Sequence, residues 1–426
     1  MSERHYAEWN DGSETNGAPL AGVTVLDLSR FVAGPYATMM LADAGADVIK
    51  IEPIGGEITR HLEPILTGPD GETISGYFLR LNRSKRSVTL DLTKDAGKAL
   101  FLELVAVADV VVENFRPGVM DRLGIGYAAQ SAANPQIIYC SISGYGHTPS
   151  PRRDRAAFAA IAEADTGVLG KPERPGDPPV RLGPPIGDIF PGSVAVSGIA
   201  MALFRMARTG VGARVDIAMY DAMLSLNECA VALQAMTGRD VNRDQGISHA
   251  APFGLFPTAA GYVCIAVLGE VVWERFAHAI GRADLLSDDR LTSGARRADQ
   301  MDGVLGQALT VWLAERSAFD VAEQLSAIGV PACVVRDAAE LLADPQAAAR
   351  SMLIDAPSYA GVTARLVASP ISLGASGPSI APAAAAGEHA AEVLSERLGY
   401  SPEQIDQLAA AGLITRWPAT PVQEAL

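Results

Sequence analysis

Apolar and polar positions follow two periods along this chain. Six short runs are predicted strands: Val23–Ser29 (VTVLDLS), Val48–Glu52 (VIKIE), Ser87–Leu92 (SVTLDL), Val110–Phe115 (VVVENF), Ile137–Ser143 (IIYCSIS) and Ala213–Met219 (ARVDIAM). Helical patterns lie between them. Ala37–Ala44 is an apolar segment, and Asp95–Ala108 puts Leu100, Leu104, Val105 and Ala108 on one face. Ser193–Met206 is apolar on nearly every side, which predicts a buried helix ended by Thr209-Gly210. Strands alternating with helices imply an α/β domain with a mostly parallel sheet. Ligands of such sheets bind beyond the carboxyl ends of the strands, where Arg30–Pro35, Asn114–Gly118 and Gly144–His147 fall.

The second half reads differently. A helix is predicted over Asp221–Met236, then a hairpin of Phe253–Phe256 with Tyr262–Leu268 around Ala260-Gly261. Helical patterns near Trp273–Ile280 and Ala318–Ile328 precede a strand at Val330–Val335. Ser401-Pro402-Glu403 opens a last helix, with Ser at the N-cap and Pro at its first position. The expected organisation is a disordered tail (1–18), a large α/β domain (19–222), a helical linker (223–247), a small α+β domain (248–344) and a C-terminal return to the large domain (345–426).

Composition narrows the function. The chain has 426 residues, 49% hydrophobic and 19% charged, as a globular protein with a large core requires. A net charge of −15 argues against nucleic acid or an anionic membrane as the main partner. A local basic pocket for a small anion stays open. The polar, acidic N-terminus is no signal peptide, and no uninterrupted run reaches transmembrane length, so a cytoplasmic location is expected. Cys140, Cys229, Cys264 and Cys333 lie far apart in apolar runs and are expected to be buried free thiols. They lack zinc spacings, and the six histidines form no H-x-x-x-H, so no metal is expected. Neither a G-x-S-x-G elbow nor a phosphate loop occurs. The one loose dinucleotide match, Gly124-x-Gly126, follows no strand. Arg83, Lys85 and Arg86 form a basic cluster that suits either a solvated loop or a phosphate site.

One acid stands out. A loop rich in Gly and Pro delivers Asp188 just ahead of the long apolar helix. Taken alone it reads as a helix cap. Its neighbourhood suggests more. VTVLDLSRFVAGP, GADVIKIEP, NRSKRSVTLDL, VVVENFRPGVMDRLG, IIYCSISGYG, the Gly187-Asp188 pair, TGVGARVDIAMYDA and GEHAAEVL occur in this order over almost the whole chain. Together they resemble the class III CoA-transferase family, also called CaiB/BaiF.

The resemblance implies a Rossmann-like large domain built from both chain ends, a small domain between, and two interlocked ring-shaped subunits. It implies that CoA passes from an acyl-CoA donor to a carboxylic acid, with no cofactor beyond the CoA thioester substrate. Asp188 matches the family's nucleophile, which works through an aspartyl anhydride and an aspartyl-CoA thioester. Arg30, Val32, Ala33, Leu90, Asn114, Phe115, Arg122 and Met219 match CoA-lining positions. Two alternatives remain: an acyl-CoA racemase of the same superfamily and a catalytically silent CoA-binding protein. Family racemases use a His–Asp pair, and Phe158 falls near the His position, with Glu163 and Asp165 close by in sequence. Some transferases carry a Gly-rich lid, whereas His249–Phe256 holds only Gly254.

Overall fold

Short strands that are apolar on both faces can be stable only in a sheet covered on both sides. The computed structural model, which describes residues 18–169, 178–180, 183–238, 250–372 and 380–417, has such a sheet. Its strands are β1 (Thr24–Asp27), β2 (Asp47–Glu52), β3 (Lys85–Thr89), β4 (Val110–Glu113), β5 (Ile138–Ser143) and β6 (Ala213–Ala218). All neighbours are parallel, in the order β3-β2-β1-β4-β5-β6. This is the doubly wound order, with its switch point between β1 and β4.

Alternate side chains enter opposite cores. Leu26, Ile49, Val88, Val111 and Tyr139 pack against Phe101 and Leu104 of a helix at Asp95–Ala106, and against Val393, Leu394 and Ile405. Val25, Val48, Val110, Ile138 and Cys140 pack on the other face. There they meet helix α1 (Ala33–Asp43) and helix α2 (Ile186–Thr209) through Ala37, Leu41, Ala195 and Ile199.

The chain divides into two compact units. One comprises residues 1–169, 180–227 and 350–426, and the other 170–179 and 228–349. In the first, the C-terminal segment closes the outer side of β3. Ser84 N–H donates to Ala381 O (3.0 Å), His389 N–H to Ser87 O (3.0 Å) and Asp91 N–H to Leu413 O (2.9 Å). The last helix, Pro402–Ala410, starts at Ser401 with a full capping box. The second unit has an antiparallel sheet, β9-β8-β7, of β7 (Phe253–Pro257), β8 (Tyr262–Ala266) and β9 (Ala332–Val334). Its core gathers Val263, Ile265, Trp273, Phe276, Leu309, Val321 and Leu325.

Several expectations need correction. Helix α2 starts seven residues before the expected Ser193, so Asp188 lies in its first turn rather than ahead of it. Pro191 sits inside the helix, where it forgoes one backbone bond without ending it. The helix is buried along one face only, with Met201 at 72% and Phe204 at 65% exposure on the other. An 18-residue window of this 24-residue helix has a mean hydropathy of 1.5, enough by length and composition alone to cross a membrane, although Asp188, Arg205 and Arg208 leave no uninterrupted apolar run of that length. The helix expected over Asp221–Met236 is two, Met219–Leu226 and Glu228–Thr237. They break at Asn227, whose amide donates to Thr166 O (3.0 Å). Only Cys140 of the four cysteines is buried; Cys264 is half-buried, and Cys229 and Cys333 are exposed. Residues 1–17 of the expected tail and His249 of the lid segment lie outside the described residues.

The basic cluster is neither a solvated loop nor a phosphate site. Arg83 pairs with Asp43 (2.5 Å), Arg86 with Asp47 (2.5 Å), and Lys85 donates to Asp27 (3.0 Å). Arg83 and Lys85 are almost wholly buried. These ion pairs tie β3 to β1 and β2, and the residues just before β3 to α1.

Candidate active site

At the switch point, two loops leave the sheet from adjacent strands. The loop after β1 carries Arg30, and the loop after β4 carries Asn114 and Phe115. The Asn114 amide joins them: its Oδ1 accepts from Arg30 N–H (2.8 Å) and its Nδ2 donates to Arg30 O (2.6 Å). The Arg30 guanidinium lies 4.9 Å from the Phe115 ring centre. Between Arg30 and α1, Phe31 takes a left-handed φ of 64°, which only a few per cent of non-glycine residues adopt. Its ring meets Phe158 edge-on at 5.9 Å. Below the second loop, Glu113 accepts from Phe115 N–H (2.7 Å) and Tyr139 Oη–H (2.9 Å). Burial pushes the Glu113 carboxyl up to about 7, against those two bonds.

Packing of α1 on α2 brings Asp188 to this edge. Next to it in sequence, Ile189 joins Val32, Tyr36, Tyr77 and Leu81 in one apolar cluster. Gly192 makes the approach possible, since a Cβ there would lie 2.7 Å from Ala33 O. Gly187 does the same on the other flank, where a Cβ would lie 2.4 Å from Ala159 O. Ala159 begins the helix Ala159–Asp165, which places buried Glu163 so that it accepts from Gly187 N–H (3.0 Å). Asp188 itself is half-buried, and no hydrogen bond holds its carboxylate among the described residues. Burial and the Glu163 charge push its carboxyl up to about 6, with Arg80 opposing. Arg80 lies 4.5 Å from the Tyr77 ring centre.

The residues expected to line CoA separate into two groups. Arg30, Asn114 and Phe115 are brought together, and Arg122 is exposed at the end of the short helix Val119–Arg122 that follows them. Leu90 (1%), Val32 (4%), Ala33 (4%) and Met219 (6%) are core residues, buried with their backbone. Of the two acids near Phe158, Asp165 is held by Arg152 and the Tyr145 hydroxyl, and Glu163 faces the Gly187 amide. Arg80 and Tyr77 were missed, although a lone Arg in the apolar helix GYFLRLN was a readable signal.

Comparison with known proteins identifies the family. The family model "CoA-transferase family III" matches residues 20–390. Succinyl-CoA:mesaconate CoA-transferase of Haloarcula hispanica is 38% identical over 385 residues, covering 88% of this chain and 96% of that protein. Succinate–glutarate CoA-transferase of Agrobacterium fabrum is 34% identical over 385 residues, covering 89% and 95%. A CaiB/BaiF family protein from Brucella suis has a crystal structure with a TM-score of 0.78 at 32% identity, covering 90% of this chain and 100% of that one. With a family model over residues 20–390 and relatives aligned along almost their whole length, the chain belongs to CoA-transferase family III.

Proposed function

We propose that this enzyme moves CoA from an acyl-CoA donor to a carboxylic acid through covalent intermediates on Asp188. One observation carries the reading. A half-buried carboxylate, free of hydrogen bonds among the described residues, sits in the first turn of a long helix beside the switch-point loops. The helix N-terminus favours its ionised form.

The steps balance as follows. An Asp188 oxygen attacks the thioester carbonyl, the C–S bond breaks, and CoA thiolate leaves behind an acyl-aspartyl anhydride. The thiolate attacks the aspartyl carbonyl and expels the donor acid as its carboxylate, leaving an aspartyl-CoA thioester. The acceptor carboxylate attacks that thioester and releases the thiolate again, giving a second anhydride. Attack of the thiolate on the acceptor's own carbonyl yields the new acyl-CoA and restores the Asp188 carboxylate. No cofactor is required.

Short dicarboxylic acids are the acceptors and donors of this proposal. The named relatives act on succinyl-CoA and mesaconate, or on succinate and glutarate. Arg80, which acts electrostatically on Asp188, offers a counter-charge for a second carboxylate. At the switch point, Arg30, Arg122 and the Phe115 ring suit the phosphates and adenine of CoA.

The experiment is turnover with acyl-CoA in the presence of hydroxylamine. It should convert Asp188 to a hydroxamate, seen as a mass shift on the peptide containing Gly187-Asp188-Ile189. Asp188→Asn should lose transfer by several orders of magnitude and retain CoA binding. Near wild-type transfer by Asp188→Asn refutes the mechanism. Loss of α-proton exchange alone would make the enzyme a racemase.

A further inference from the structure

The outward face of the small sheet carries two thiols side by side. Along β8, Val263 and Ile265 are fully buried in the core, so Tyr262, Cys264 and Ala266 belong to the other face. Strand β9 places Cys333 directly opposite Cys264. Two backbone bonds flank this pair at equal distance, Val335 N–H to Tyr262 O and Ala266 N–H to Pro331 O, both 2.9 Å. Cys264 and Cys333 therefore form a hydrogen-bonded antiparallel pair, whose Cα atoms stand about 5.5 Å apart. That Cα separation lies within the range disulfides span.

Access favours the same reading. Cys333 is exposed and Cys264 half-buried. Both line a groove of about 460 Å³ with Ala266, Ser326, Pro331 and Ala332. Cys140, by contrast, is sealed in the large sheet, and Cys229 stands on a helix without buried residues. The transfer chemistry on Asp188 uses none of these thiols.

We propose that Cys264 and Cys333 form a vicinal dithiol that a small-molecule disulfide, RSSR, oxidises to an intrachain disulfide. Cys333, the more exposed, reacts first. Its thiolate attacks one sulfur of RSSR, the S–S bond breaks, and RS⁻ leaves. Cys264 then gives up its proton to solvent and attacks Sγ of Cys333, expelling the second RS⁻. The protein loses two electrons and two protons, and RSSR becomes two RSH. Burial holds the Cys264 thiol above its usual range, which suits the resolving role better than the attacking one. The bond pins a three-residue edge strand to its neighbour.

The test is exposure of the full-length protein to oxidised glutathione, followed by non-reducing peptide mass spectrometry. The expected product joins the Cys264 and Cys333 peptides with loss of two hydrogens, while exposed Cys229 carries glutathione as a mixed adduct. In Cys264→Ser, glutathione should remain trapped on Cys333. Stable glutathione adducts on Cys264 or Cys333 of the wild type would overturn the proposal. So would two unmodified thiols at these positions in a sample whose Cys229 has reacted. Phenylarsine oxide gives an independent reading: one arsenical should bridge the two cysteines, and failure to bridge them counts against the pair.

Discussion

A carboxylate that attacks a thioester has to be ionised, and the surroundings of Asp188 hold it close to that limit. Burial and Glu163 raise its carboxyl to about 6, and Arg80 works the other way. Transfer should therefore fall as pH drops through about 6 and level off on the alkaline side, because protonation removes the nucleophile. Glu163→Gln deletes one negative charge and keeps an oxygen to accept from Gly187 N–H. The midpoint of kcat/KM against pH should then move to lower pH, with the alkaline plateau little changed. An unmoved midpoint would assign the whole shift to burial. At this scale the sequence was partly legible. Asp188 stood out through its Gly-Asp motif, whereas the orientation of Glu163 depends on a helix–helix contact that Gly187 permits. Leu90 and Met219 matched a motif, but a motif does not record whether a residue is buried.

The strands were the most legible elements, because apolar runs of β-branched residues leave few alternatives to a covered sheet. The start of α2 was not. Pro191-Gly192 looks like a lead-in, and the helix reaches back past it to Ile186. Charge was the least legible feature of all. The partners of Arg83, Lys85 and Arg86 lie 40, 58 and 39 residues away in sequence, so a local reading could only class the cluster as solvated or anion-binding. These pairs couple elements rather than bind a ligand. Burial alone would raise the Asp27 carboxyl. Lys50, Lys85 and bonds from Ser29 and Thr38 more than offset this and hold it well below the usual carboxylate range. The stability it contributes is present above about pH 4, the unfolded value, and is lost as pH falls toward its depressed one. Lys85→Met removes one partner of a buried pair and should cost roughly 3–5 kcal/mol in denaturant unfolding. Adding Asp27→Leu should recover part of that loss, since the buried Lys50 that remains keeps Glu57 as its counter-charge at 3.9 Å.

For the whole molecule, the bare face of α2 is the main clue to assembly. Met201, Phe204, Arg205 and Arg208 follow one another at helical spacing on its exposed side. Exposed Met and Phe side chains flanked by arginines have the composition of a protein–protein contact. The interlocked dimer implied by the family resemblance would cover this face, and sedimentation across a dilution series should show a dimer that persists to low concentration. A stable folded monomer would remove that architecture. The return of the C-terminal segment to β3 also has a consequence for synthesis. Val393, Leu394 and Ile405 complete a core begun by Leu26, yet they leave the ribosome some 370 residues later. For most of translation the large sheet has one face only partly covered, by the helix Asp95–Ala106, and the outer side of β3 unpaired. The nascent chain must therefore wait, partly assembled, for its own last helices, and it is during this interval, more than after release, that a chaperone would find something to hold.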